Sequence, residues 1–123
     1  MVGIGKHIDT EKNLTIYELQ GEISVDELLK LNEKFFTGYS TSNIIFDVMD
    51  GSLKKVTKDG LQNSILKIRA EKIKERKIAI VGKKDVDFGM GRMYAAYLKI
   101  ENAGVNIDVF RTRSEALKWL GIG

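Results

Sequence analysis

The chain has neither cysteine nor proline among its 123 residues. Without cysteine there can be no disulfide, no thiol nucleophile and no thiolate metal ligand. Without proline there is no cis-proline bond to shape a turn. The single histidine, His7, falls in a predicted strand, and no nucleophile is tied to it in the sequence, so a catalytic triad is unsupported. We therefore expect a protein that is not an enzyme and that needs no cofactor.

Long apolar runs are also missing. No stretch approaches the length that spans a membrane, and the amino terminus lacks the basic and then apolar pattern of a signal peptide. The composition, 43% hydrophobic over 123 residues, is enough for one buried core and too little for two. We expect a single domain over 1–123 that is cytoplasmic and not inserted in a membrane.

The charge is nearly balanced, with 20 basic and 17 acidic residues and a formal net charge of +3. Basic residues concentrate at Lys54, Lys55 and Lys58 and again over 67–77, where two glutamates lie among them. That second stretch contains no aromatic residue, whereas nucleic-acid surfaces usually combine basic and exposed aromatic side chains. The pattern favours a solvated helix face and predicts no nucleic-acid partner.

Hydrophobic periodicity predicts the element order ββαβαβαβα. Capping boxes at Ser24 with Glu27 and at Thr112 with Glu115 mark two helix starts, and Asn13 suits the positive φ of a hairpin turn. Gly21 and residues 50–52 are expected to end their strands. Five strands are predicted, at 4–9, 14–20, 44–49, 78–81 and 105–110. Such alternation indicates a single-domain α/β fold with a mostly parallel five-stranded sheet, in which functional groups follow the carboxyl ends of the strands.

The carboxyl half resembles a known family. Val109-Phe110-Arg111, Glu115-Ala116 and Trp119-Leu120 are similar to the closing strand, capped turn and helix of the SpoIIAA-like group of STAS and SEC14-related bacterial domains. The resemblance is strongest over 77–121. It implies a βα superhelix, with Trp119 and Leu120 anchoring the last helix, and a small regulatory or binding domain.

Anti-sigma-factor antagonists, the better-understood members of that group, are switched by phosphorylation of a serine in an Asp-Ser-Ser-Gly-Leu motif. The motif lies where the helix after the third strand begins. The corresponding stretch here is Thr57-Lys58-Asp59-Gly60-Leu61, which keeps the Gly-Leu pair but has Asp59 in place of the phosphorylated residue. Ser52, Thr57, Asp59 and Gly60 are therefore the candidate residues of a switch loop. A carboxylate favoured by the helix dipole explains Asp59 more simply than a switch does.

Three aspartates near the same sheet edge, Asp50, Asp85 and Asp87, could hold Mg²⁺ with Arg111 nearby. Turn and capping roles explain each of them at lower cost, so no metal site is predicted.

The third predicted helix, after the strand at 78–81, has an apolar arc of about 200°, wider than one sheet face requires. We expect Met93, Tyr97 and Ile100 to fill the core stripe. The residues that could contact a partner or ligand are Met90, Tyr94, Tyr97 and Leu98. Methionine and tyrosine suit adaptable, half-exposed contacts, although Tyr94 could equally lie at the margin of the core with its hydroxyl in water.

Two function classes remain open from the sequence. The first is a regulatory module that binds a protein partner or forms a homodimer. The second is a carrier of a small apolar or lipid-like ligand, for which a chain of this size leaves little volume.

The absence of a serine at position 59 predicts that the protein carries no regulatory phosphate. We expect the intact mass of protein isolated from its native host to match the unmodified chain. Stoichiometric phosphate on Ser52 or Thr57 would contradict this prediction.

Overall fold

A five-stranded sheet forms the centre of the structure, a computed structural model that describes residues 3–28, 30, 41–53, 55–60, 76–101 and 105–122. The strands are β1 (Gly3–Asp9), β2 (Leu14–Glu22), β3 (Asn43–Ser52), β4 (Lys77–Gly82) and β5 (Asn106–Phe110). They lie side by side in chain order, with β1 antiparallel to β2 and all other pairs parallel. The predicted α/β fold with a mostly parallel sheet is confirmed.

Two helices are described over their full extent, α1 (Asp85–Glu101) and α2 (Arg113–Leu120). Helical residues also occur at 25–28, 30 and 58–60, where the first two predicted helices begin. The rest of the two predicted helices, at 29, 31–36 and 61–75, lies outside the described residues. Both predicted capping boxes are confirmed, because the Glu27 amide donates to Ser24 Oγ and the Glu115 amide to Thr112 Oγ1, each at 3.2 Å.

The turn between β1 and β2 depends on Asn13, which has the predicted positive φ, at 52°. Its side-chain Oδ1 accepts from the Ser42 amide at 3.2 Å, and its carbonyl accepts from the Asn43 amide at 3.1 Å. The hairpin turn is thereby tied to the start of β3, the next strand in the sheet.

The predicted ends of β2 and β3 were wrong. Neither Gly21 nor the segment 50–52 ends its strand, because the two segments pair with each other, with Gly21 opposite Gly51 and Glu22 opposite Ser52. A shift of register between Glu18 and Gln20 accompanies the positive φ of Gly21. The extension carries both strands further toward the carboxyl edge, which we define as the carboxyl ends of β2 to β5 and the segments that follow them.

The two faces of the sheet bury separate clusters. Side chains alternate between faces along each strand, so Phe46 lies on the first face and Ile45 on the second. Helix α1 packs on the first face, and its described core includes Tyr17, Leu19, Ile44, Phe46, Val48, Ile78, Ile80, Leu98 and Ile107. Helix α2 packs on the second face, whose buried core is Leu14, Ile45, Ala79, Val81, Ala116 and Leu120. Helices therefore cover both faces of the sheet.

The last helix is anchored largely as the resemblance implied. Leu120 is buried against the second face, whereas Trp119 is half-buried. The Trp119 ring lies 5.5 Å from the Phe110 ring, centroid to centroid, and the Lys77 ammonium lies 4.6 Å from its centre. Gly121 closes the helix with a φ of 78°.

Helix α1 faces the sheet with small residues rather than with its largest ones. Gly91 and Ala95 are buried, and a Cβ atom on Gly91 would lie 3.1 Å from Ile80 Cγ2. The prediction that Ile100 fills the core was therefore wrong: its side chain is 75% exposed, while Leu98, expected to be surplus, is 1% exposed. A helical wheel weighted by hydrophobicity misplaces this face, because glycine and alanine contribute little to it.

Two glycine substitutions, one at the end of β4 and one in α1, test how closely the helix approaches the strand. A Cβ atom on Gly82 would lie 2.7 Å from the backbone nitrogen of Phe88, so Gly82→Ala forces the backbones apart. We expect a loss of roughly 1–3 kcal/mol in the free energy of unfolding. The matched change Gly89→Ala meets no atom within 4 Å and should stabilise the protein by about 0.5–1 kcal/mol, since alanine is the better helix former.

Urea denaturation of the two variants and the parent measures both effects. A Gly82→Ala variant as stable as the parent would show that α1 can move away from the strand at no cost.

Candidate interaction site

Two segments of the carboxyl edge are joined by a partly buried hydrogen bond. The Leu53 amide, just after β3, donates to Asp87 Oδ1 in the first turn of α1 at 2.7 Å. Asp87 is fully buried, and its second oxygen, Oδ2, accepts no hydrogen bond. The bond fixes the loop after β3 against the start of α1, so the two segments form one surface.

The loop after β3 leads into a helix start at 58–60. Thr57 Oγ1 accepts from the Gly60 amide at 3.0 Å, which is the role of a helix N-cap. Thr57, Lys58 and Asp59 are exposed. The Asp59 carboxylate therefore lies in solvent in the first turn of a helix, where the helix dipole favours negative charge.

Gly60 is required by packing against the first helix of the chain. A Cβ atom there would lie 2.5 Å from Val25 Cγ2, in the helical residues 25–28. The space beside Gly60 is therefore filled by a side chain of this protein. Ser52 is the last residue of β3, paired with Glu22, and so lies ahead of the loop rather than in it.

Three of the four predicted contact residues of α1 lie at the margin of the core. Met90, Tyr94 and Tyr97 are half-buried and pack against the first-face cluster. Burial raises the pKa of the Tyr94 phenol well above its ordinary value, so this ring stays neutral at all ordinary pH values. Leu98 belongs to the core and is not available as a contact residue.

Met90 and Tyr94 also line a small apolar cavity on the first face. Its volume is about 40 Å³, and its walls include Leu19, Leu28, Phe46, Val48, Leu53, Val56, Ile80 and Gly91. Pockets that hold a drug-sized molecule have volumes of roughly 300–1,000 Å³. The cavity is therefore several times smaller than a pocket for a drug-sized molecule.

The aspartates at this edge have separate partners. The side chain of Asp85, 97% exposed, pairs with Arg111 at 2.7 Å, whereas Asp87 is buried and bonds to the Leu53 amide. The side chain of Asp50 lies outside the described part of the structure. Over the described residues, no group of three or more histidine, cysteine, aspartate or glutamate side chains could hold a metal ion.

A second polar cluster lies on the second face and was not predicted from the sequence. Glu18 of β2 and Asp47 of β3 are directly opposite in register, and Arg113 at the start of α2 bonds to both. The distances are 2.8 Å from Nη2 to Glu18 Oε2 and 2.9 Å from Nε to Asp47 Oδ2. Two acids at core-facing positions of neighbouring strands are the sequence signal that could have indicated a shared cation.

His7 joins the same cluster from β1. Its Nε2 lies 2.6 Å from Glu18 Oε1, and its side chain is 64% exposed. The hydrogen bond from Arg113, with a smaller contribution from His7, holds the pKa of Glu18 below its ordinary value despite the opposing effect of desolvation. The stabilisation from Glu18 is therefore present above the ordinary pKa of glutamate and is lost as the pH falls through the lowered value.

Comparison with solved structures identifies the fold. The crystal structure of an anti-sigma factor antagonist from Mycobacterium paratuberculosis matches with a TM-score of 0.61 and 12% sequence identity, over 98% of this chain and 95% of that one. An uncharacterised protein of the DUF3478 family with a SpoIIAA-like fold, from Shewanella loihica PV-4, matches with a TM-score of 0.52 and 21% identity, over 97% and 93%.

No family model and no curated protein matches the sequence. Among the described residues, no helix is long and apolar enough to cross a membrane. At these identities the likeness concerns the fold, and it confirms the resemblance at that level: the chain has the SpoIIAA-like fold.

The cluster around Arg113 predicts a strong dependence of stability on that one side chain. The change Arg113→Met removes the cation that the opposed carboxylates of Glu18 and Asp47 share, and we expect a loss of roughly 2 kcal/mol or more. The control Lys55→Met breaks an exposed pair with Glu22 and should cost clearly less than Arg113→Met.

Urea midpoints at neutral and acidic pH measure the difference between the two variants. The difference in urea midpoint between the variants should narrow on acidification, because protonation of Glu18 weakens its ion pair with Arg113. Equal losses in the two variants at neutral pH would contradict the assignment.

Proposed function

We propose that this protein is a non-enzymatic regulatory module that acts by binding a protein partner through the carboxyl edge, without a phosphoserine switch. The fold it shares with an anti-sigma factor antagonist supports a role in protein interaction. The described polar clusters support it as well, because the side chains of Arg113 and Asp87 each join one element of the fold to another.

The observation that carries the proposal is the helix start after β3. The resemblance implies a phosphorylated serine at this place in the antagonists, and here the residue is Asp59, exposed in the first turn. The nearby hydroxyl of Thr57 is engaged as the cap that accepts from Gly60. The site therefore presents a permanent negative charge that needs no kinase, and binding is regulated by the supply of the partner.

The partner's contact area extends from this helix start onto α1. Leu53 and Asp87 hold the two segments together, and Met90 and Tyr94 lie at the margin of the core just beyond. Half-buried methionine and tyrosine side chains can adapt to a partner at a small cost in conformational entropy. The partner is a different protein or a second copy of this chain.

Carriage of a small apolar ligand is the second candidate, favoured by the apolar cavity beside Met90 and Tyr94. At about 40 Å³ that cavity must expand severalfold before it can hold a lipid-like molecule. Protein binding needs no such rearrangement, so it ranks first.

A steric block at the helix start tests the proposal. The change Asp59→Trp places a large ring on the exposed surface, where it blocks a partner of either charge. The control Glu101→Trp places the same ring at an exposed position at the carboxyl end of α1. Protein cross-linked and isolated from its native host should carry a stoichiometric protein partner. We expect Asp59→Trp to reduce the bound fraction at least about tenfold and Glu101→Trp to leave it unchanged.

Native mass spectrometry of the parent shows whether a protein partner, a second copy of the chain or a small molecule is bound, and the same measurement on the two variants shows how much of the partner each retains. Equal retention of the partner by both variants would contradict the assigned surface. An absence of any protein partner or dimer, together with a bound small molecule, would replace the proposal with the ligand carrier.

A further inference from the structure

Two arginines lie close to the Phe88 ring at the start of α1. The guanidinium carbon of Arg111 lies 4.0 Å from the centre of the Phe88 ring, and that of Arg92 lies 6.0 Å from it. Arg111 also donates from Nη1 to the Lys83 carbonyl at 3.2 Å and to Asp85 Oδ1 at 2.7 Å. Lys83 and Lys84 directly precede α1. We call these four basic residues and the ring the Phe88 patch: Lys83, Lys84, Phe88, Arg92 and Arg111.

The Phe88 patch has more positive charge than its neighbours neutralise. Lys83, Lys84 and Arg92 are exposed, and the described residues offer none of them an ion pair. The exposed acid beside them, Asp85, is already paired with Arg111. Elsewhere in the described structure, Lys55 is paired with Glu22 and Arg113 with Glu18. Three exposed cations without an ion pair therefore lie close together in the chain at the start of α1, where Phe88 is half-exposed.

We propose that the Phe88 patch docks an acidic segment of the protein partner, an inference that rests on the proposed function and names the chemistry of what binds there. Carboxylates of that segment pair with Lys83 and Lys84 and form bidentate hydrogen bonds with the planar guanidinium of Arg92. Arg111 is paired with Asp85 and also held by the Lys83 carbonyl, so its guanidinium stays over the Phe88 ring and adds no unpaired charge.

The geometry favours an acidic protein segment over a nucleic acid. Single-stranded nucleic acids bind by stacking bases on aromatic faces, but the guanidinium of Arg111 already covers the Phe88 ring at 4.0 Å. Three unpaired cations also neutralise few phosphates, which limits non-specific affinity at physiological salt.

The Phe88 patch is mechanically part of the carboxyl edge. Asp87, the residue before Phe88, accepts from the Leu53 amide of the loop that leads to Asp59. The close contact of Gly82 with the backbone of Phe88 fixes the same turn against β4. An acidic segment bound at the patch is thus held on the same rigid surface as the helix start at 58–60.

The test compares two triple variants that each remove three positive charges. The first is Lys83→Gln, Lys84→Gln and Arg92→Gln, in the patch. The second is Lys12→Gln, Lys99→Gln and Lys118→Gln, at exposed positions elsewhere. Urea midpoints confirm that both variants fold. Because the change in net charge is identical, any difference in binding reports the location of the charge rather than its amount.

The probe is a short fluorescein-labelled peptide rich in aspartate and glutamate, with a control peptide in which each acid is replaced by its amide. Fluorescence anisotropy at about 0.15 M salt gives the affinities. We expect the parent to bind the acidic peptide at least about tenfold more tightly than the amide peptide, the patch variant to lose about tenfold, and the second variant to stay within about threefold of the parent.

Equal losses in the two variants, or no preference of the parent for the acidic peptide, would overturn the inference. Tighter and patch-dependent binding of single-stranded DNA would also overturn it, in favour of a nucleic acid. If the partner isolated from the native host binds the patch variant as well as the parent, the inference fails and the proposed function stands. If no partner exists, the proposed function fails independently of the peptide result.

Discussion

Two carboxylates facing each other across neighbouring strands are the constraint on which the second face of the sheet depends. Glu18 and Asp47 are opposite in register, and their repulsion is relieved by Arg113, the first residue of α2. A helix whose first residue must reach both strands can lie in few ways across β3 to β5. The electrostatic requirement thus complements the burial of Ala116 and Leu120.

On the first face, the position of the candidate site depends on close packing rather than on charge. Gly91 and Ala95 allow α1 to lie close to Ile80, and Gly82 allows its first turn to contact the backbone at the end of β4. This close packing buries Asp87, whose carboxylate then fixes the loop after β3. The larger side chains, Met90 and Tyr94, are left at the margin, and Phe88 lies between two arginines. The proposed interaction surface therefore results from the small side chains on the sheet-facing side of α1, which leave the larger ones at the margin.

The sequence predicted the order of elements, the mostly parallel sheet and both helix caps, because these depend on local periodicity and on hydrogen bonds between residues three apart. The predictions from sequence were wrong where residues distant in the chain determine a strand end or the buried face of a helix. Gly21 looks like a strand end until β3 supplies Gly51 opposite it, and Ile100 looks like core until Gly91 and Ala95 set the phase of α1. The candidate residues Thr57, Asp59 and Gly60 were found by resemblance. The sequence also placed Arg111 near Asp85 at the sheet edge, but it did not predict the contact of Arg111 with the Phe88 ring.

Hydrogen–deuterium exchange of the protein with and without its partner measures the central claim most directly, which is that the carboxyl edge is the binding surface. Amides that become buried or rigid on binding exchange more slowly, and peptide-level data locate them along the chain. The account predicts added protection at 53–60 and 83–92, with the hairpin at 9–14 and helix α2 unchanged. Protection confined to α2 and the exposed side of β1 and β2, with none at 53–60 or 83–92, would contradict it.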